Sequence, residues 1–98
     1  MSIITPEELK ARMDQGERLS MIDVREDDEV AAGMIPGALH IPMGEIPERL
    51  DQISRTDEVI LICRSGARSG RVQEYLEARG YTGIKNLVGG MLEWQELT

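Results

Sequence analysis

A chain of 98 residues holds one hydrophobic core and not two, so 1–98 is read as a single domain. The formal net charge of −7 argues against nucleic acid and anionic membranes as partners. A single cysteine excludes an internal disulfide and any zinc site built on several thiolates, and an unpaired thiol fits a reducing compartment.

Thr5-Pro6-Glu7-Glu8 starts a helix. Thr5 is a capping residue, Pro6 suits the first helical position, and the acids suit the amino-terminal end of the dipole. Leu9 and Met13 recur at helical spacing, and Gly16 is the expected stop. No basic segment followed by an apolar run precedes this helix, and no apolar stretch approaches the length of a membrane span. A cytoplasmic protein is expected. A short strand over 19–24 ends in Asp23-Val24-Arg25, and a short acidic helix over 26–32 closes at Gly33. Pro36-Gly37 makes a turn. A short strand over 39–41 stops at Pro42, and Ile46, Leu50 and Ile53 share one face of a helix over 45–53.

The central strand runs over 59–63, four aliphatic residues ending in Cys63. A helix follows over 67–79 and stops at Gly80. A strand over 84–88, the Gly89-Gly90 turn and a last helix over 91–97 complete the chain. Strands alternating with helices favour an α/β fold, a parallel sheet with helices on both faces. Ligands of such sheets bind beyond the carboxyl ends of the strands. Cys63 lies at one such end and Asp23-Val24-Arg25 at another.

Cys63 is followed by Arg64-Ser65-Gly66-Ala67-Arg68-Ser69-Gly70-Arg71. A thiol between a strand and a helix amino terminus, flanked by three arginines, is well placed to ionise. The thiolate is the nucleophile, so the position suits covalent chemistry. The plain alternative is a small buried hydrophobe. The arginine rim argues against it, because unpaired arginines are costly to bury.

Four separated motifs resemble the single-domain rhodaneses, which are sulfurtransferases. They are Asp23-Val24-Arg25; Gly33-Met34-Ile35-Pro36-Gly37-Ala38-Leu39-His40-Ile41-Pro42; the loop Cys63-Arg64-Ser65-Gly66-Ala67-Arg68, followed by Ser69; and Leu87-Val88-Gly89-Gly90-Met91-Leu92-Glu93-Trp94. The resemblance spans nearly the whole chain. One departure is Met34, where the family often carries histidine. The resemblance implies a rhodanese-like fold with about five parallel strands. It also implies that Cys63 takes the outer sulfur of a donor such as thiosulfate as a persulfide and passes it to a thiol or cyanide. The acceptor thiol can be a protein's. No cofactor and no metal are expected.

Backbone N–H groups of Arg64, Ser65, Gly66, Ala67 and Arg68 are expected to converge on the sulfur as an anion nest. Arg64 and Arg68 are expected to hold the donor's oxygens. Asp23 and Arg25 are expected to border the site, mainly by tying loops together. His40 receives no role. Trp94 is expected to anchor the last helix. Two rivals stay open: a persulfide relay serving a protein partner, and a cysteine phosphatase or arsenate reductase. The phosphatase loop places its arginine one residue further from the cysteine than Arg68 stands here. The arginines favour thiosulfate over 3-mercaptopyruvate as donor.

Overall fold

The computed structural model describes residues 2–97. Along the chain run β1 (Ile3–Ile4), α1 (Pro6–Asp14), β2 (Met21–Asp23), α2 (Asp27–Ala31), β3 (Leu39–His40) and two short 3-10 segments (Met43–Glu48 and Leu50–Gln52). Then come β4 (Val59–Ile62), α3 (Ala67–Glu77), β5 (Ile84–Leu87) and α4 (Gly90–Leu97). In space the strands lie in the order β1-β5-β4-β2-β3, and each neighbouring pair is parallel.

β4 sits in the middle of the sheet, and all its residues are buried. A strand covered on both faces has no solvent side, which is why its sequence is a continuous apolar run. Val59, Leu61 and Cys63 point to one face and pack among Val72 and Leu76 of α3 and Ile46 and Ile53 of the connecting segment. Ile60 and Ile62 point to the other, where Leu9 of α1 and Met91 and Trp94 of α4 cover them. Each fully buried aliphatic side chain contributes about 1.5–3 kcal/mol. Trp94 anchors the last helix as expected, and α/β layering with helices on both faces is what the sequence pattern required.

The start of α1 follows its sequence. Thr5 Oγ1 accepts from the Glu8 N–H at 3.1 Å, and the Glu8 carboxylate accepts from the Thr5 N–H at 3.0 Å. Gly16, at φ +82, turns the chain away from the helix.

The structure adds one element and corrects one expectation. β1 was not foreseen, because a two-residue edge strand carries no readable period. The segment 45–53 forms two 3-10 stretches instead of one α-helix. Pro47 lies inside it and has no N–H to donate. The apolar spacing still holds: Ile46 and Ile53 are buried, and Leu50 packs on the same cluster.

The parallel register aligns the strand ends that carry the site. Asp23 of β2 lies opposite Ile62 of β4, and the Val24 N–H donates to Ile62 O at 2.8 Å. Val24-Arg25 and Cys63-Arg64 therefore leave the sheet side by side.

Candidate active site

Cys63 is the first residue beyond β4, and Gly66 is the last before α3. Gly66 adopts φ +100, a conformation open to glycine and strained for other residues. That turn brings the Gly66 N–H to 3.0 Å from Cys63 Sγ. The Ser69 hydroxyl reaches the same sulfur at 3.3 Å from the first turn of α3. Cys63 is only 1% exposed. Burial pushes its thiol up, but the Ser69 hydroxyl and the N–H groups of Ser69, Gly66 and Ser65 more than offset it. The thiol lies below the ordinary cysteine value. Dipoles aimed at a buried sulfur can stabilise a thiolate and any anion that replaces it.

The loop is held from beneath by α4. The Met91 N–H donates to Cys63 O at 2.9 Å and the Leu92 N–H to Arg64 O at 3.0 Å. Gly90 makes this approach possible: at φ +54, a Cβ there would run into the carbonyls of Cys63 and Arg64. From β5, Asn86 Nδ2 donates to Gly66 O at 3.0 Å, and Asn86 Oδ1 accepts from the Ser69 hydroxyl at 2.5 Å.

The arginines divide into paired and unpaired. Arg68 makes a fork with Glu29 of α2, at 2.6 and 2.7 Å. Arg68 and, second, the Glu26 N–H hold the Glu29 carboxyl down to about 2, and Glu29 raises Arg68 in turn. Arg64 and Arg71 are exposed and have no hydrogen-bond or ion-pair partner among the described residues. Arg71 lines a pocket with Met43, Ile46, Pro47, Val72 and Tyr75. Among the described residues, no three His, Cys, Asp or Glu side chains are grouped to hold a metal ion. No described helix is long and apolar enough to cross a membrane.

Asp23 and Arg25 form a closed, buried pair. Arg25 Nε and Nη2 reach both Asp23 carboxylate oxygens at 2.7–3.0 Å, and Arg25 Nη2 also donates to Gly33 O at 2.7 Å. The pair ties the end of β2 to the chain after α2, and all its strong hydrogen bonds are spent there. His40 Nε2 bonds to Arg25 O at 2.7 Å, a packing contact.

Cys63 thus stands at a parallel strand end with its loop held by amides of α4, and the rhodanese-like domain family matches residues 5–97. The chain belongs to the rhodanese family. It is 42% identical over 91 residues to a sulfurtransferase of Allochromatium vinosum, covering 93% of this chain and 85% of that protein. It is 33% identical over 103 residues to the human thiosulfate:glutathione sulfurtransferase, covering 91% and 89%. The crystal structure of a rhodanese-like domain protein from Staphylococcus aureus superposes with a TM-score of 0.90 at 40% identity, covering 96% and 91%. Rhodanese-type sulfur transfer is the class of activity these relatives support.

Within this rhodanese site the structure adds residues that sequence reasoning passed over. Ser69 entered only as the residue that follows the loop; its position in the first turn of α3 brings its hydroxyl to the sulfur. Asn86 had a readable signal, a polar residue in the otherwise apolar face of a strand next to β4. Glu29 gave none, since one carboxylate in an acidic run looks like its neighbours.

Proposed function

We propose that this rhodanese domain moves sulfane sulfur from thiosulfate to a thiol through a persulfide on Cys63. The Cys63 thiolate attacks the outer sulfur of thiosulfate. A new S–S bond forms, the old one breaks, and its electron pair leaves on sulfite. An acceptor thiolate then attacks the outer persulfide sulfur and releases the Cys63 thiolate, and cyanide can take the sulfur in the same way. The Cys63 group carries one negative charge before and after each transfer, on Sγ in the thiolate and on the outer sulfur in the persulfide, so an anion one bond further out must also be met by the N–H and O–H dipoles that surround the sulfur.

The observation that carries this reading is the convergence of Gly66 N–H and Ser69 O–H on an enclosed Cys63 sulfur whose thiol is lowered. A sulfur so enclosed is reached by the end of a slender donor more readily than by a bulky phosphate ester. Arg64, unpaired on the loop, is suited to the donor's oxyanion end. Arg71 is unpaired as well. Arg68, spent on Glu29, sets the loop instead. The likeness to a thiosulfate:glutathione sulfurtransferase supports a thiol acceptor.

The test is the intact mass of the reduced protein after brief exposure to thiosulfate, with Cys63→Ser alongside. The parent alone should gain the mass of one sulfur atom and lose it to a thiol or cyanide. No gain in the parent removes thiosulfate as donor.

A further inference from the structure

Ser69 has one hydroxyl proton and two acceptors for it. Its Oγ lies 2.5 Å from Asn86 Oδ1 and 3.3 Å from Cys63 Sγ. Asn86 cannot step aside by turning its amide over. Its Nδ2 donates to Gly66 O at 3.0 Å, and a flip would set two carbonyl oxygens against each other. Gly66 is thus held at its carbonyl by Asn86 while its N–H points at the sulfur. The strand places Asn86 on the face covered by α3, where Ile84, two residues earlier, also packs. Gly70 of α3 leaves room for it: a Cβ there would lie 3.4 Å from Asn86 Nδ2.

We propose that Asn86 is a positioning residue for the sulfur of Cys63, accepting the Ser69 hydrogen bond while the sulfur is protonated and giving it up when the sulfur becomes an anion. The inference deepens the sulfur-transfer reading and rests on it for its purpose. In the thiol, Cys63 S–H donates to Ser69 Oγ, and Ser69 O–H donates to Asn86 Oδ1. When the thiol proton leaves to solvent, the Ser69 O–H turns to the sulfur and Asn86 Oδ1 loses its donor. Only the hydroxyl rotates. Asn86 therefore opposes the anion mildly through Ser69. That restraint has a use, because nucleophilicity falls as a thiol's pKa falls. When Cys63 later departs as a thiolate, the Ser69 proton is again available to it.

The charged groups around this switch are Arg64 on the loop, Arg68 of α3 with Glu29 clamped on it, the closed Asp23–Arg25 pair beyond β2, and Glu93 of α4, turned back on Gly89. None of them is hydrogen-bonded to Ser69 or Asn86 among the described residues.

The test is the rate of Cys63 alkylation by iodoacetamide against pH in the parent, Ser69→Ala, Asn86→Leu and the double variant. Leucine keeps the branched outline of asparagine and neither donates nor accepts. Ser69→Ala should move the profile to higher pH. With Ser69 present, Asn86→Leu should give a thiolate fraction about threefold to tenfold higher than the same substitution gives relative to Ser69→Ala, the size of one hydrogen bond. Equal shifts in both backgrounds would overturn the proposal, leaving Asn86 to act through Gly66 or the fold alone. If Asn86→Leu does not fold, Asn86→Ala enters the same cycle with the same criterion. Thiosulfate loading of the parent, read by mass, separates the two readings. Coupling without loading sinks sulfur transfer and leaves the switch; loading without coupling does the reverse.

Discussion

Glu29→Gln asks whether Arg68 anchors the loop or stands free to take an anion. In the parent the Glu29 oxygens meet Nη1 and Nη2 of Arg68 at 2.6 and 2.7 Å and join α2 to α3. Two unit charges roughly 4 Å apart attract by ~4 kcal/mol at an effective dielectric near 20. The side chains are 28% and 24% exposed, and they give up hydration and rotamer freedom, so about 1–2 kcal/mol survives. Glutamine keeps the oxygen that accepts the Glu26 N–H at 3.0 Å, so only the charge and the fork are lost. The variant should melt about 5–10 °C below the parent at pH 7. The pH dependence adds a second check. The Glu29 carboxyl sits at about 2 against an ordinary 4.5, chiefly because of Arg68. A carboxylate with a depressed pKa stabilises the fold fully above its unfolded value and loses that contribution as pH falls through its folded value. The gap between parent and variant should therefore be complete above about pH 4.5 and close towards pH 2. Equal melting temperatures at pH 7 would refute the anchor. Kinetics give the matching result: Arg68→Ala should lose activity equally with thiosulfate and with an uncharged sulfur donor. Arg64→Ala should lose mainly thiosulfate turnover, by about tenfold to a hundredfold in kcat/KM.

Two further substitutions probe the frame of the site. Gly90→Ala forces a side chain against the Cys63 and Arg64 carbonyls at φ +54 and should cost about 2–4 kcal/mol in urea unfolding, together with slower alkylation of Cys63. An unchanged midpoint and alkylation rate would show that α4 does not hold the loop. Asp23→Asn leaves Arg25, 5% exposed, without its charge partner and should cost about 3–5 kcal/mol by the same measurement. A loss near zero would mean that the Gly33 carbonyl suffices for Arg25.

What could be seen in the sequence was local and periodic. The Thr5 cap, the apolar run of β4 and the glycine turns each announce themselves within a few residues, and each stands where expected. Cys63 was legible because strand, cysteine, small residues and arginines follow one another without a break. What was hidden depends on the crossing of distant segments. Arg68 meets Glu29 across 39 positions, and Ser69 meets Asn86 across 17. No pattern along the chain distinguishes those partners from other polar residues. Pro47 is a different failure: Ile46, Leu50 and Ile53 give the helical spacing correctly, but a missing N–H decides between α and 3-10.

Counting arginines along the chain overstates the positive charge at the sulfur. Arg25 is neutralised by Asp23, and Arg68 by Glu29. The lowered Cys63 thiol rests on short-range dipoles from Ser69, Gly66 and Ser65, Arg68 still acts on it through space from within its ion pair, and Arg64 and Arg71 are, among the described residues, the unpaired cations of the segment. The division has a chemical consequence. A full charge locked against the sulfur would hold a departing sulfite dianion as firmly as an arriving thiosulfate. A dipole's attraction falls off faster with distance than a full charge's, so the loop dipoles act mainly on the sulfur they touch, at 3.0 and 3.3 Å, while a solvated arginine suits the oxyanion that comes and goes. On the proposed mechanism, pairing two arginines off would let the site favour a persulfide without trapping the sulfite that leaves.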